Sequence, residues 1–247
     1  MSDNQQASKP PVSRGLVFAI VIVAILLVCV LVFIVGAVAR SAGGHHASPV
    51  ATHTSGPTDP SSETSADKSV CGLPGFAASG TLNAAPPTKW VLVGTVAAPT
   101  ERATVGPGVV KGDGFRSCYE HTPTGALFAA ANYLALTSDA RYAGNVLRDL
   151  LVPGHGQQAA IASEASSPQS SSLRVQLAGF AIDSYSAKAA TVDLAVTNEA
   201  NGEFVSIPLE LQWSGGDWKL VVTSAGTVPL TATGLADLGG YTPWAGA

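Results

Sequence analysis

From Gly15 to Ala39 the chain runs for twenty-five residues without a charge, GLVFAIVIVAILLVCVLVFIVGAVA. A helix rises about 1.5 Å per residue and the hydrocarbon layer of a bilayer is roughly 30 Å thick, so about 20 apolar residues suffice to cross it. In lipid the backbone can satisfy its hydrogen bonds only within the segment, which predicts a membrane-spanning helix in spite of the Val and Ile content. A cleaved secretory signal is the competing reading, because Ala37-Val38-Ala39 has the small-x-small pattern of a cleavage site. The apolar core of a signal is about 7 to 15 residues long, whereas Leu16 to Val35 is already 20, so a retained anchor is expected. A lipoprotein is disfavoured because Val28 precedes Cys29. Lys9 and Arg14 precede the run and Arg40 follows it, which predicts a cytoplasmic N-terminus. The expected layout is single-pass, with the C-terminal bulk on the extracytoplasmic side of the cell membrane.

Beyond residue 40 the chain carries ten basic and sixteen acidic side chains, a net charge of −6. Nucleic-acid backbones are bound by clustered Lys and Arg, and no window holds three of them, so no direct nucleic-acid partner is expected. In an oxidising compartment the two cysteines of this region, Cys71 and Cys118, are expected to pair. Their bond closes a loop of about 48 residues, for which chain entropy gives on the order of 4 kcal/mol. Cys118 and His121 have a zinc-ligand spacing but no second pair of ligands nearby, and no metal or cofactor is expected.

A cytoplasmic tail of 1–14 and a span of 15–39 lead into 40–70, rich in Ser, Thr, Pro and Gly, which reads as a disordered stalk. His45, His46 and His53 in this stalk read as solvated linker residues. Residues 71–117 read as extended and turn-rich, with a strand over Lys89–Ala97 interrupted at Gly94. The GPG and GDG triplets are not followed by Gly-Lys-Ser/Thr, so a nucleotide-binding loop is excluded.

At Thr122-Pro123 a capped helix is expected, its buried face formed by Leu127, Ala130, Ala131 and Leu134. Asp139 is expected to cap a second helix whose face is Ala143, Val146, Leu147 and Leu150, ending at Pro153-Gly154; a shorter third helix is expected around Gln157–Ala165. The period then changes from 3.6 to 2. Alternation in 173–182, with a bulge at Gly179, and again in 192–196, 205–213 and 218–222 predicts a four-stranded antiparallel meander. Helices on one face of such a sheet make an α+β domain over 118–223, followed by a Gly-rich tail, 224–247.

The helices followed by a bulged antiparallel sheet, closing on the hairpin from Trp213 to Leu220 (WSGGDWKL), resemble the nuclear-transport-factor-two-like cone fold. A single-pass anchor, a polar stalk and one such domain resemble the anchored inner subunits of conjugation and type IV secretion machines. The segment CYEHTPTGALFAAAN from Cys118 to Asn132 resembles that of uncharacterised actinobacterial proteins of integrative conjugative elements. The resemblance implies a cone-like domain in a scaffold subunit that assembles by protein contact, with secretion-apparatus proteins or further copies of itself as partners, and performs no chemistry. The alternative is a cell-surface module that binds a ligand in the hollow of the cone.

Cone-fold enzymes place an acid or base in the cavity. His121, Asp139, Tyr142 and Asp183 are the candidates near the helices and sheet, and each reads more simply as a structural residue: beside a cap, a cap, a helix start and a strand end. No Gly-x-Ser-x-Gly elbow is present, so no catalytic residue is expected. Trp213 and Trp218 flank a turn and read as a cross-strand pair in the core, with partner contact as the alternative. Tyr241 and Trp244 are the isolated aromatics of the tail, and they either pack back on the domain or dock onto a partner.

Overall fold

The computed structural model describes residues 68–166 and 174–246. The expected cytoplasmic tail, the span at 15–39 and the stalk as far as residue 67 lie outside the described residues. Among the described residues no helix is long and apolar enough to cross a membrane. In chain order the elements are β1 (Lys89–Val93), β2 (Val96–Thr100), β3 (Val109–Val110), β4 (Arg116–Ser117), α1 (Pro123–Thr137), α2 (Ala143–Asn145) and α3 (His155–Ser166). There follow β5 (Val175–Tyr185), β6 (Ala189–Asn198), β7 (Phe204–Ser214), β8 (Asp217–Leu220), β9 (Thr233–Leu235) and β10 (Thr242–Pro243).

The alternating sequences form the three long strands β5, β6 and β7, each antiparallel to the next. Register shifts at Leu177/Gly179 and Ile182/Ser184 bulge β5. The β7–β8 turn is Gly215-Gly216, both left-handed at φ 64° and 80°, which sets Trp213 directly opposite Trp218.

The expected four-stranded, cone-like sheet is corrected here. The sheet has six strands in the order β10-β5-β6-β7-β8, with β9 sharing the far edge of β7. The added strands come from the tail. They are two and three residues long, too short for a period of two to show in sequence. The stretch read as one strand broken at Gly94 is instead a hairpin, β1–β2, with Gly94 in its turn at φ 58°. A second small hairpin joins β3 and β4.

The helices differ as well. Thr122 caps α1 as expected, its side chain accepting from the Gly125 N–H. However, α1 is buried almost all round: Phe128, Ala129 and Leu136 are interior along with Leu127, Ala131 and Leu134. A helix that is apolar on every side belongs inside the core. It packs on β5, β6 and β8 of the sheet and on β2 of the hairpin. A Cβ at Gly125 would overlap the Glu120 carbonyl, so the first turn tolerates no side chain there. The expected second helix is broken into a 3-10 turn at Ala140–Tyr142, the short α2 and a π-helical turn at Val146–Leu150. Among the described residues the fold is thus sheet-rich, with three α-helices, of which α1 is buried in the core.

Polar side chains tie the β1–β2 hairpin to this centre. Buried Asn132 of α1 donates from Nδ2 to the Pro99 carbonyl (3.0 Å). Ser138, at the C-terminal cap of α1, accepts the Thr95 N–H (3.0 Å). From β5, Gln176 accepts the Ala97 N–H (3.3 Å) and donates to the Thr95 carbonyl (2.9 Å).

Candidate functional site

Just ahead of α1 the chain is held by a disulfide and a carboxylate. Cys71 is bonded to Cys118, across 47 positions of sequence. Cys118 adopts φ 69°, a left-handed conformation that costs an L-residue about 1–2 kcal/mol. Asp217 holds it there, its carboxylate accepting the N–H groups of Cys118 (2.8 Å), Tyr119 (3.0 Å) and Trp218 (2.9 Å). Burial pushes the Asp217 carboxyl up to about 6, against the opposing effect of these hydrogen bonds and of the Lys219 charge.

His121 is 1% exposed. Its ring stacks on Trp213 with centroids 3.7 Å apart and an interplanar angle of 4°. The edges of Phe76 (5.1 Å) and Trp218 (5.5 Å) close the cluster, and Nε2 donates to the Ala187 carbonyl (2.5 Å). Because the Cys118 sulfur is in the disulfide, it is not a thiolate ligand beside His121. No group of three or more metal-ligating side chains occurs among the described residues.

The other sequence candidates are dispersed. Asp139 caps the 3-10 turn and is gripped by Arg141 (2.6 Å), whose hydrogen bonds hold its carboxyl below the usual value. Tyr142 donates its hydroxyl to the Asp113 carbonyl (3.0 Å). Asp183 lies near Asp193 on the sheet, and burial raises its carboxyl. Tyr241 donates to Asp193 (2.6 Å), which also accepts from Ser206 (2.8 Å). Of the aromatics named as candidate partner contacts, Trp218 and Trp244 are interior, at 2% and 5% exposure, while Trp213 and Tyr241 are half-buried. Trp244 sits against Trp90 (4.8 Å), Phe128 and Phe180, and its Nε1 donates to Thr88 (3.0 Å). The tail therefore packs back and locks the hairpin to the sheet.

The structure brings together a set of residues that sequence reasoning missed. Tyr133 and Thr137, one turn apart on α1, face Ala143, Val146 and Leu147 across a cleft of about 200 Å³, with Asp139 and Glu164 at its margin. Burial pushes the Tyr133 phenol up to about 12, so it stays neutral at physiological pH. The i, i+4 spacing of Tyr133 and Thr137 was visible, but the cleft depends on the π-helical turn, which the 3.6-residue pattern concealed. Apolar walls with a neutral phenol, a hydroxyl and an Arg-paired carboxylate suit the binding of a small apolar group.

Together these features define a sheet-rich, disulfide-stapled domain wrapped around one buried helix, with a small apolar cleft at its helical end. The chain belongs to the DUF8175 family, a domain of unknown function, whose profile matches residues 50–243. Comparison with curated proteins and with solved structures gives no match.

Proposed function

We propose that this protein is a non-enzymatic scaffold subunit, held at the cell membrane by residues 15–39 with its folded domain on the extracytoplasmic side, in a conjugation or type IV secretion-like apparatus. The observation that carries this reading is the Cys71–Cys118 disulfide, a bond suited to an oxidising compartment and found on the far side of the uncharged run. The dispersal of His121, Asp139, Tyr142 and Asp183, the first three each hydrogen-bonded to neighbours of their own, favours assembly over chemistry. The test is co-purification of the full chain from detergent-solubilised native membranes, with mass spectrometry of what accompanies it. Recovery with a secretion ATPase or channel subunits is expected.

The cleft at Tyr133 and Val146 favours a second reading, a cell-surface ligand-binding module. In that case the helical cleft, and not a hollow in the sheet, holds the ligand. A lone monomer carrying a small molecule would put this reading first.

A further inference from the structure

The β1–β2 hairpin has two outer edges, and they differ. Its two-residue turn, with Gly94 left-handed at the first position, makes Val93 and Val96 a hydrogen-bonded pair. Pairing then alternates, so Val91–Ala98 and Lys89–Thr100 bond within the hairpin, while Leu92–Ala97 and Trp90–Pro99 turn their backbone groups outward. Three observations fix that phase. Pro99, which has no N–H, falls at an outward position; its carbonyl accepts from Asn132 (3.0 Å); and the Ala97 N–H donates to Gln176 (3.3 Å). The outward groups of β2 are thus answered by side chains of α1 and β5. On β1 the N–H and C=O groups of Trp90 and Leu92 face the open edge, and among the described residues none of the four has a hydrogen-bond partner.

This edge is apolar as well as open. Leu92 is 73% exposed. It shares a face of the hairpin with Trp90, whose ring packs on Trp244 (4.8 Å). The usual devices that blunt an edge are missing from β1: it has no proline and no bulge, and its one charge, Lys89, lies at the end of the strand and pairs with Glu101 (3.5 Å).

We propose that β1 pairs antiparallel with β1 of a second copy of this chain, about a two-fold axis at Val91, joining two hairpins into a four-stranded sheet. In that register all five residues overlap. Trp90 and Leu92 of one copy exchange hydrogen bonds with Leu92 and Trp90 of the other, so that both edges are satisfied at once. Each exposed Leu92 gains the other copy's indole as its directly opposed neighbour, and Lys89 comes opposite Val93, which keeps the two lysines from facing each other. The edge is its own complement in hydrogen bonding, in apolar contact and in charge, as a two-fold interface requires, and this favours a second copy over an unrelated strand. The pairing goes beyond the scaffold reading and needs neither the anchor nor an apparatus.

Oxidative cross-linking tests this. The full chain carrying Val91→Cys, with Cys29→Ser so that no other unpaired thiol remains, is oxidised in the cells that make it and again after purification in detergent. Opposed residues of a non-hydrogen-bonded pair lie about 4.5 Å apart at Cα, within disulfide reach, so a covalent homodimer is expected in both. Val109→Cys, on the separate β3–β4 hairpin, reports chance collision and is expected to stay monomeric. Leu92→Pro removes an N–H that takes no part in the β1–β2 ladder, so it is expected to leave the thermal midpoint unchanged and to abolish the Val91 cross-link. Should Leu92→Pro fail to fold, Leu92→Glu decides: this change at an exposed position enters the interface twice and must weaken the apparent dimer affinity by about tenfold. No dimer at Val91, an equal one at Val109, or one that survives these Leu92 variants overturns the proposal. Cross-linking of Val91→Cys only to a different polypeptide overturns it too, and gives the edge to a partner's strand.

Discussion

At the scale of single residues, Asp217 joins the two ends of the domain's logic. One carboxylate secures the left-handed Cys118, the start of Tyr119 and the return strand at Trp218. Its folded pKa of about 6 lies above the ordinary 3.8, so the folded state holds the proton more tightly than the unfolded chain. The contribution to stability is greatest below about pH 4, declines as pH rises through about 6, and amounts to at most about 3 kcal/mol. Denaturant unfolding across this range is expected to show that decline. In Asp217→Asn the slope should be shallower, with the smaller contributions of Asp183 and Glu120, whose carboxyls burial also raises, left in place, and the protein less stable throughout, because an amide offers one acceptor oxygen where the carboxylate offers two. The importance of Asp217 was not legible in the sequence. The Gly-Gly-Asp string marks a turn, and nothing local shows that its carboxylate reaches backbone almost a hundred residues away.

At the scale of elements, the long, strongly periodic pieces were readable: the Thr122 cap, the three long strands, the bulge near Gly179 and the tryptophan hairpin all follow from spacing and turn chemistry. The pieces that escaped are those that tertiary contacts create. β9 and β10 exist because β7 and β5 offer edges, and the break of the second helix into 3-10, α and π turns reflects packing and not propensity. The cleft at Tyr133 was lost with that break. Trp244 shows how much a two-residue strand can matter. Trp244→Ala removes contacts with Trp90, Phe128 and Phe180 and the bond to Thr88, and is expected to cost about 3–5 kcal/mol, measured by denaturant unfolding. Deleting 236–247 should be as damaging, so loss of partner association in that variant counts as docking only if the domain remains folded. Valine at Ala143 or Leu147→Ala, by contrast, alters the cleft. If the ligand-binding reading holds, narrowing it with Ala143→Val lowers the affinity for the co-purified molecule while leaving the Asp217 pH profile intact.

For the whole molecule, the disulfide is the bond that gives the region ahead of α1 its place. Replacing Cys71 and Cys118 together by serine is expected to lower stability by about 4 kcal/mol, the chain-entropy value for this loop, with the same loss on reduction of the wild-type protein. The pairing was legible because only two cysteines lie beyond the uncharged run; the fold it staples was not, since its two hairpins leave little periodic signal in 71–117. The position of the bond also decides how the domain responds to mechanical load. Residues 68–70 lie against the β7–β8 turn, where the Val70 N–H donates to the Gly216 carbonyl (2.8 Å), and Cys71 follows at once. Tension arriving along the chain from the N-terminal side passes from Cys71 directly to Cys118 through sulfur. Residues 72–117, with both small hairpins, form a closed loop beside the covalent line of force, so a pull from the N-terminal side reaches them only through non-covalent contacts, among them those with α1, β5 and Trp244.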